Sequence, residues 1–308
     1  MDLLKGAFAT LKQVKKTHKP VSLSERALTR ADITNNLSKL DIPDDAIVFI
    51  HSGFKSIGEV DGGPEAVVGA LIDELVTRRN ITVAMPAFSI ETSMVNQLKR
   101  GKPFGARTMP TVFETIPAAF LATPGVVRSV HPTHSVSAIG PKAELLTSTH
   151  HDTDKSFGPS SPFGKIKDAE DYIMGLGSGL GTVTFYHTLE DYEPDFPRDV
   201  YTKEIFSVSC KASTGEAHHV TIPVHSPHVS EYRIDKRNSY WLRDIYAKLF
   251  EMAGVINNVT IGKANCWYGR ADQIYNKAKH LAYQGLDIYS SPEDIATFIQ
   301  KHLSSSNE

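Results

Sequence analysis

Apolar residues follow two periods along this chain. In "AIVFIHSGF" they run together and stop at small polar residues, as in a buried strand that opens onto a loop. In "VDGGPEAVVGALIDEL", Val67, Val68, Leu71, Ile72 and Leu75 recur at helical spacing behind two glycines and a proline. "ITVAMPAF" is the next strand. Strand, glycine loop, helix and strand in that order predict a parallel βαβ unit. Upstream, "SLSERALTRADITNNLSKL" reads as a helix capped by Thr29, with Asp32 three residues on.

Further along, "DYIMGLGSGLG" is a strand running into glycines, and "TVTFYHTLEDY" a helix behind it. The period changes after residue 204, where "IFSVSC" and "HHVTIPV" flank the polar turn "KASTGEA". This predicts a small antiparallel β-insertion at about 205–228. Helical spacing returns in "SYWLRDIYAKLFEMAG", with Gly254 as its stop, in "ADQIYNKAKHLA", and in "SPEDIATFIQKHL", which starts at Ser291 and Pro292. With no repeat and no low-complexity linker, residues 1–308 read as a single domain.

Composition narrows the function classes. The 308 residues are 41% hydrophobic and 22% charged, and the net charge of -2 supplies no basic field for nucleic acid or an anionic membrane. Neither Cys210 nor Cys266 lies in a CxxC pair, which argues against a disulfide scaffold and a thiolate zinc site. No apolar stretch approaches the ~18 residues of a membrane span. "MDLLKGAFATLKQVKKTHKP" is basic and amphipathic but lacks the long apolar run of a signal peptide, so it reads as a surface helix. The expected setting is the cytoplasm.

Several residues can carry chemistry. The run Gly175, Gly177, Gly179, Gly181 has GxGxGxG spacing, not the dinucleotide fingerprint, and reads as a close-packing turn. In the next helix Thr184 is the expected N-cap. That puts His187 at N3, where the helix dipole favours a neutral imidazole suited to a general base. Glu190 lies one turn on. The acidic run with Glu190, Asp191, Glu193 and Asp195 would attract a cation.

In "VRSVHPTHSVSAIGP", Pro132 between His131 and His134 argues against a helical metal motif. A mixed metal site of His131, His134, His150, His151, Asp152 and Asp154 remains an alternative, implying a metal-dependent hydrolase. Ser135 beside His134 is no nucleophile–base pair, because neighbours on a strand face opposite ways.

Taken in order, "HSGFKSIGEVDGGPEAV", "VAMPAFS", "PGVVRSVHPTHSVSAIGP", "GPSSPFGKI", "MGLG" and "TFYHTLEDY" resemble the aminoglycoside 3-N-acetyltransferase family. The resemblance is dense over residues 30–195. It implies an α/β fold, a three-layer α/β/α sandwich with a mixed central sheet. It implies acetyl-CoA (coenzyme A) as co-substrate, no metal, and direct transfer to an amine of an aminoglycoside or amino sugar.

By the same resemblance, the cofactor contacts are His51, Ser52, Gly53, Phe54, Ile57, Val60, Gly62, Gly63, Ser129, His131, Pro132, Ser135 and Ser161. The general base is His187, in a TxxHxxE pattern with Thr184 and Glu190. A downstream carboxylate, Glu231 or its rival Asp235, orients it, and Glu91 is a further acid. Glu190, Asp191 and Glu193 would face the acceptor. The partner is a small-molecule amine, and the protein a monomer or homodimer.

Two departures from the family pattern bear on the acceptor. "HSG" stands where "HSS" is usual, and "HTLEDYEPDFP" replaces an "HxAEYR"-like run. A biosynthetic amino sugar, nucleotide-linked or in a polysaccharide, is therefore an alternative acceptor, with Arg107, Arg128 and Lys155 as candidate phosphate contacts. A non-catalytic sensor that binds the same ligands is a third class.

Overall fold

The computed structural model describes residues 26–90, 93–229 and 231–302. The N-terminal surface helix expected before residue 26, and Glu91, lie outside them.

Helix α1 (Arg30–Leu37) opens with the expected capping box, Thr29 and Asp32 each bonding the other's backbone N–H. Strand β1 (Ile47–Ser52) follows. Gly62 and Gly63 turn the chain at positive φ into α2 (Gly63–Leu71), which continues as π-turns to Arg78. Next come β2 (Thr82–Pro86), β3 (Phe104–Gly105), β4 (Val127–Arg128) and β5 (Val136–Ile139). Helix α3 (Pro162–Asp168), capped by Ser161, leads to β6 (Tyr172–Leu176). Helix α4 (Thr188–Tyr192) precedes β7 (Tyr201–Lys211) and β8 (Ala217–His225). The chain ends with α5 (Tyr240–Met252), β9 (Asn257–Ile261), β10 (Ala264–Arg270), α6 (Ala271–Tyr283) and α7 (Pro292–His302).

The described strands form a seven-stranded sheet in the order β4-β5-β2-β1-β6-β10-β9. Strands β2, β1 and β6 are parallel; β4, β5, β10 and β9 pair antiparallel. The sheet is therefore mixed, as expected. Side chains alternate between two hydrophobic clusters. Ile47 and Phe49 join one cluster with Phe163 of α3, Leu242 of α5 and Ile274 of α6. Val48 and Ile50 join the other with Ile33 of α1 and Val67 of α2. Among the described residues no helix is long and apolar enough to cross a membrane.

The insertion starts earlier than its sequence pattern indicates, at Tyr201, and it is not wholly antiparallel. Hairpin β7–β8 is antiparallel, but Phe104 and Gly105 add β3 parallel to β7. A two-residue strand a hundred residues away leaves no periodic trace in the sequence.

Gly175, Gly177 and Gly181 of the glycine run serve close packing, while a Cβ on Gly179 would meet open space. Gly177 sits at φ +70°, and a Cβ there would lie 2.7 Å from the carbonyl oxygen of Gly53. A Cβ on Gly53 would lie 2.5 Å from the Gly177 carbonyl oxygen. The "HSG" variation thus belongs to a backbone contact between the ends of β1 and β6. Gly177→Ala is expected to lose about 1–3 kcal/mol of stability in urea denaturation, from left-handed strain and this clash; an unchanged midpoint would refute that account.

Candidate functional site

The C-terminal ends of β1 and β6 open onto a cleft of about 920 Å³. His51, Ser52 and Ser178 form one side, with Thr182 to Thr184 and His187 beside them. Phe88, Met94, Val112 and Phe113 give an apolar wall, and His225, Glu231, Arg233 and Asp235 close the far side. His51 Nε2 and Ser52 Oγ are buried at this cleft without hydrogen-bond partners, and burial pushes the His51 imidazole down to about 3. Two unsatisfied polar atoms in such a place fit a polar ligand atom.

His187 is held from behind. Its Nδ1–H donates to Glu190 Oε1 at 2.6 Å, so Nε2 remains the lone-pair nitrogen of a side chain that lines the cleft. The Tyr289 hydroxyl donates to Glu190 Oε1 at 2.8 Å and lies 3.1 Å from Oε2. His225 Nε2 lies 2.9 Å from the same Oε1. Burial lowers the His187 pKa and outweighs the opposing pull of Glu190. Burial alone would raise Glu190, but His187 and His225 outweigh it and hold the carboxyl down at about 2. The pair is thus a neutral imidazole on an ionised carboxylate.

The local route differs from expectation. Thr184 to His187 form a 3-10 turn in which Thr184 makes no side-chain cap, and His187 is itself the residue before α4. Burial, not a helix dipole, keeps the imidazole neutral.

The carboxylate bonded to His187 is Glu190. Glu231 is exposed at the cleft, and Asp235 pairs with Arg233 at 2.6 and 2.7 Å. The acidic run does not line the cleft. Asp191 accepts from the Phe157 N–H and the Tyr201 hydroxyl, with burial pushing it up to about 6. Glu193 pairs with Lys279 at 2.7 Å and accepts from Tyr275. These carboxylates are consumed by neighbours that sequence spacing does not reveal.

Of the residues expected to touch the cofactor, His51 and Ser52 line the cleft. Ile57 is core. The Ser129 hydroxyl bonds His150 Nδ1 at 2.8 Å, and Ser135 bridges Arg128 and the Ala87 carbonyl. His131 is fully buried, stacked on His150 at 4.3 Å, and its Nδ1 accepts from the His134 N–H. Pro132 is buried and its carbonyl accepts from Ser89, while Ser161 is the cap of α3. Gly53, Phe54, Val60, Gly62 and Gly63 stay partly or fully exposed along the chain after Ser52.

Of the two central histidines in the HPTHS block, His134 faces the cleft, edge-on to Phe88. Among the three candidate phosphate contacts, Arg128 is buried with its guanidinium on backbone carbonyls and over Phe104. Arg107 is exposed, and Lys155 donates to the Glu190 carbonyl at 3.3 Å.

The expected alternative metal cluster does not converge, since His151 packs on His218 of β8 while His131 stacks on His150. Among the described residues, the group that does bring three ligand side chains together is His187, Glu190 and His225. Ligand atoms around a tetrahedral zinc stand roughly 3.3 Å apart. The 2.6 and 2.9 Å found here are both shorter than that, the first being a hydrogen bond to the carboxylate.

His225, Tyr289 and Phe157 are additions that sequence reading missed. Phe157 stacks on His187 at 5.1 Å. His225 ends a recognisable strand, but nothing in "VTIPVHSPH" aims it at Glu190.

Comparison with known proteins adds the following. Residues 49–282 match the family model for aminoglycoside 3-N-acetyltransferase. An aminoglycoside N(3)-acetyltransferase III of Pseudomonas aeruginosa is 32% identical over 172 residues, 53% of this chain and 63% of that protein. The YokD protein of Bacillus subtilis, an SPbeta prophage-derived aminoglycoside N(3')-acetyltransferase-like protein, is 31% identical over 178 residues, 53% of this chain and 64% of its own length. The match thus spans a little under two thirds of these relatives. The YokD crystal structure superposes with a TM-score of 0.67 at 24% identity, covering 83% of this chain and 94% of that one. AAC-IIIb in binary complex with CoASH does so with 0.69 at 21%, covering 87% and 100%.

Burial of neutral imidazoles makes stability pH-dependent. Burial pushes His51 and His150 down to about 3 and lowers His131 and His134 well below the ordinary value. Unfolding frees them to take protons, so their contribution is complete above pH 6.5 and is lost as pH falls toward 3. Asp191, raised to about 6 by burial, opposes with a single group. Stability is expected to drop by roughly 2 kcal/mol or more between pH 6 and pH 5 in urea titrations; a flat profile would contradict neutral burial.

Proposed function

Since the chain belongs to the aminoglycoside 3-N-acetyltransferase family, we propose that it transfers an acetyl group from acetyl-CoA directly to an amine of an aminoglycoside or amino sugar. The observation that carries this reading is His187 lining the cleft with the buried Glu190 bonded to its Nδ1 from behind. A sugar amine is protonated in water and must lose a proton to attack a thioester. His187 Nε2 is the acceptor for that proton, and Glu190 stabilises the imidazolium that results. The new C–N bond forms on the acyl carbon, the C–S bond breaks, the second proton of the nitrogen leaves to water, and the imidazolium returns the first to the departing thiolate. Amine and thioester become amide and free thiol, with no acyl-enzyme.

The unpartnered His51 Nε2 and Ser52 Oγ are the atoms we assign to the acyl or pantetheine end of the donor. The exposed stretch Gly53, Phe54, Val60, Gly62 and Gly63 is open to its outer portion. Alternation of the sheet's side chains between two helix-backed clusters supports a three-layer α/β/α arrangement in one domain. The same reading assigns a cytoplasmic monomer or homodimer whose partner is a small amine, with no role for nucleic acid, membrane or metal.

Thiol release from acetyl-CoA, followed with gentamicin, sisomicin and glucosamine, tests the activity. His187→Ala is expected to lower kcat by about 10²–10⁴ while acetyl-CoA binding by calorimetry is retained. Loss of that binding in a folded variant would remove His187 from the role of base. Glu190→Gln is expected to lower kcat and move the acid limb of kcat/KM to lower pH, because the carboxylate that raises the His187 pKa is gone. A limb that moves upward would refute the assignment.

A further inference from the structure

Glu190 serves more than His187. His225 Nε2, buried, lies 2.9 Å from Glu190 Oε1, a close polar contact without the alignment of a hydrogen bond and with no other partner. That oxygen is the atom that takes the His187 proton at 2.6 Å and the Tyr289 hydroxyl at 2.8 Å. His225 comes from the last position of β8, in the small sheet. Its ring is stacked on His187 at 4.9 Å and on Tyr201 at 5.0 Å, so both the ring and the nitrogen are fixed. His225 also lines the cleft.

Two imidazoles on one carboxylate oxygen have a consequence. A lone His–Glu pair fixes one orientation through one bond, and the carboxylate can rotate about its χ angles. A second nitrogen 2.9 Å from the same oxygen, on a ring stacked against His187, restricts that freedom and keeps Oε1 where His187 Nδ1–H must point.

Resting on the transferase reading, we infer that His225 is a second positioning residue of the reaction: its Nε2 locks Glu190 in the rotamer that aims His187, and so makes the small sheet part of the catalytic apparatus. The nitrogen carries this role; ring packing alone does not.

Two substitutions separate nitrogen from ring. His225→Gln places an amide N–H near the position of Nε2 and loses the stacked ring; His225→Phe keeps the stack and loses the nitrogen. Thermal unfolding and calorimetric acetyl-CoA binding confirm that each variant is folded. The expected result is a kcat for the Phe variant at least tenfold below that of the Gln variant. The KM for acetyl-CoA should stay within about twofold of wild type in both, since the loss falls on a bond to the base. The reverse ranking, equal loss in both, or wild-type kcat in the Phe variant would each overturn the inference and leave His225 as packing. Wild-type protein that releases no thiol with any amine would overturn the transferase reading and this inference together.

Discussion

The buried carboxylate of Glu190 is the interaction on which the site depends. A carboxylate removed from water costs several kcal/mol unless its oxygens are satisfied. Here the partners come from three separate parts of the chain. His187 precedes the same short helix, Tyr289 lies in the loop before α7, and His225 ends the hairpin. The two imidazoles hold the carboxyl in its charged form, and the mixed sheet with its added hairpin is the frame that brings all three neighbours together. Phe157, Tyr201 and the stacked imidazoles surround it with rings, which exclude water and strengthen each polar contact.

That frame also decides what the charged side chains are free to do. Asp191 and Glu193, prominent in the sequence, bind Tyr201, the Phe157 N–H, Tyr275 and Lys279. The cleft itself is lined by Glu231 and Asp235 against Arg233 and Lys236. Histidines and hydroxyls make up much of the rest. Arg128, far from offering its charge to a ligand, is spent on the backbone of the β2 and β3 loops, and burial pushes its pKa down to about 10.

Features whose cause is local were legible in the sequence. Thr29 and Asp32 make a capping box three residues apart, Gly254 stops α5, and the hairpin is marked by alternation around a polar turn. His187 and Glu190 are one turn apart, so their pairing was visible too. What distance hides was not legible. Tyr289 meets Glu190 across 99 residues and β3 meets β7 across a hundred. The HPTHS block looked like a ligand wall because its residue types suit one. Tertiary packing instead turns His131, Ser129 and Ser135 inward and leaves His134 on the cleft. Burial, and not a helix dipole, lowers the His187 pKa, since Thr184 caps nothing.

The pairing of Phe104 with Cys210 sets an order of assembly. Contacts between residues so far apart form slowly, because a long loop must close before they return any stabilisation. As the chain leaves the ribosome, β1, β2 and β6 are available early, and His187 emerges with Glu190 directly after them. The hairpin that brings His225 comes later, and Tyr289 later still. A nascent chain therefore holds His187 and Glu190 before it holds His225 and Tyr289, and the buried carboxylate is among the later groups to acquire its full set of neighbours.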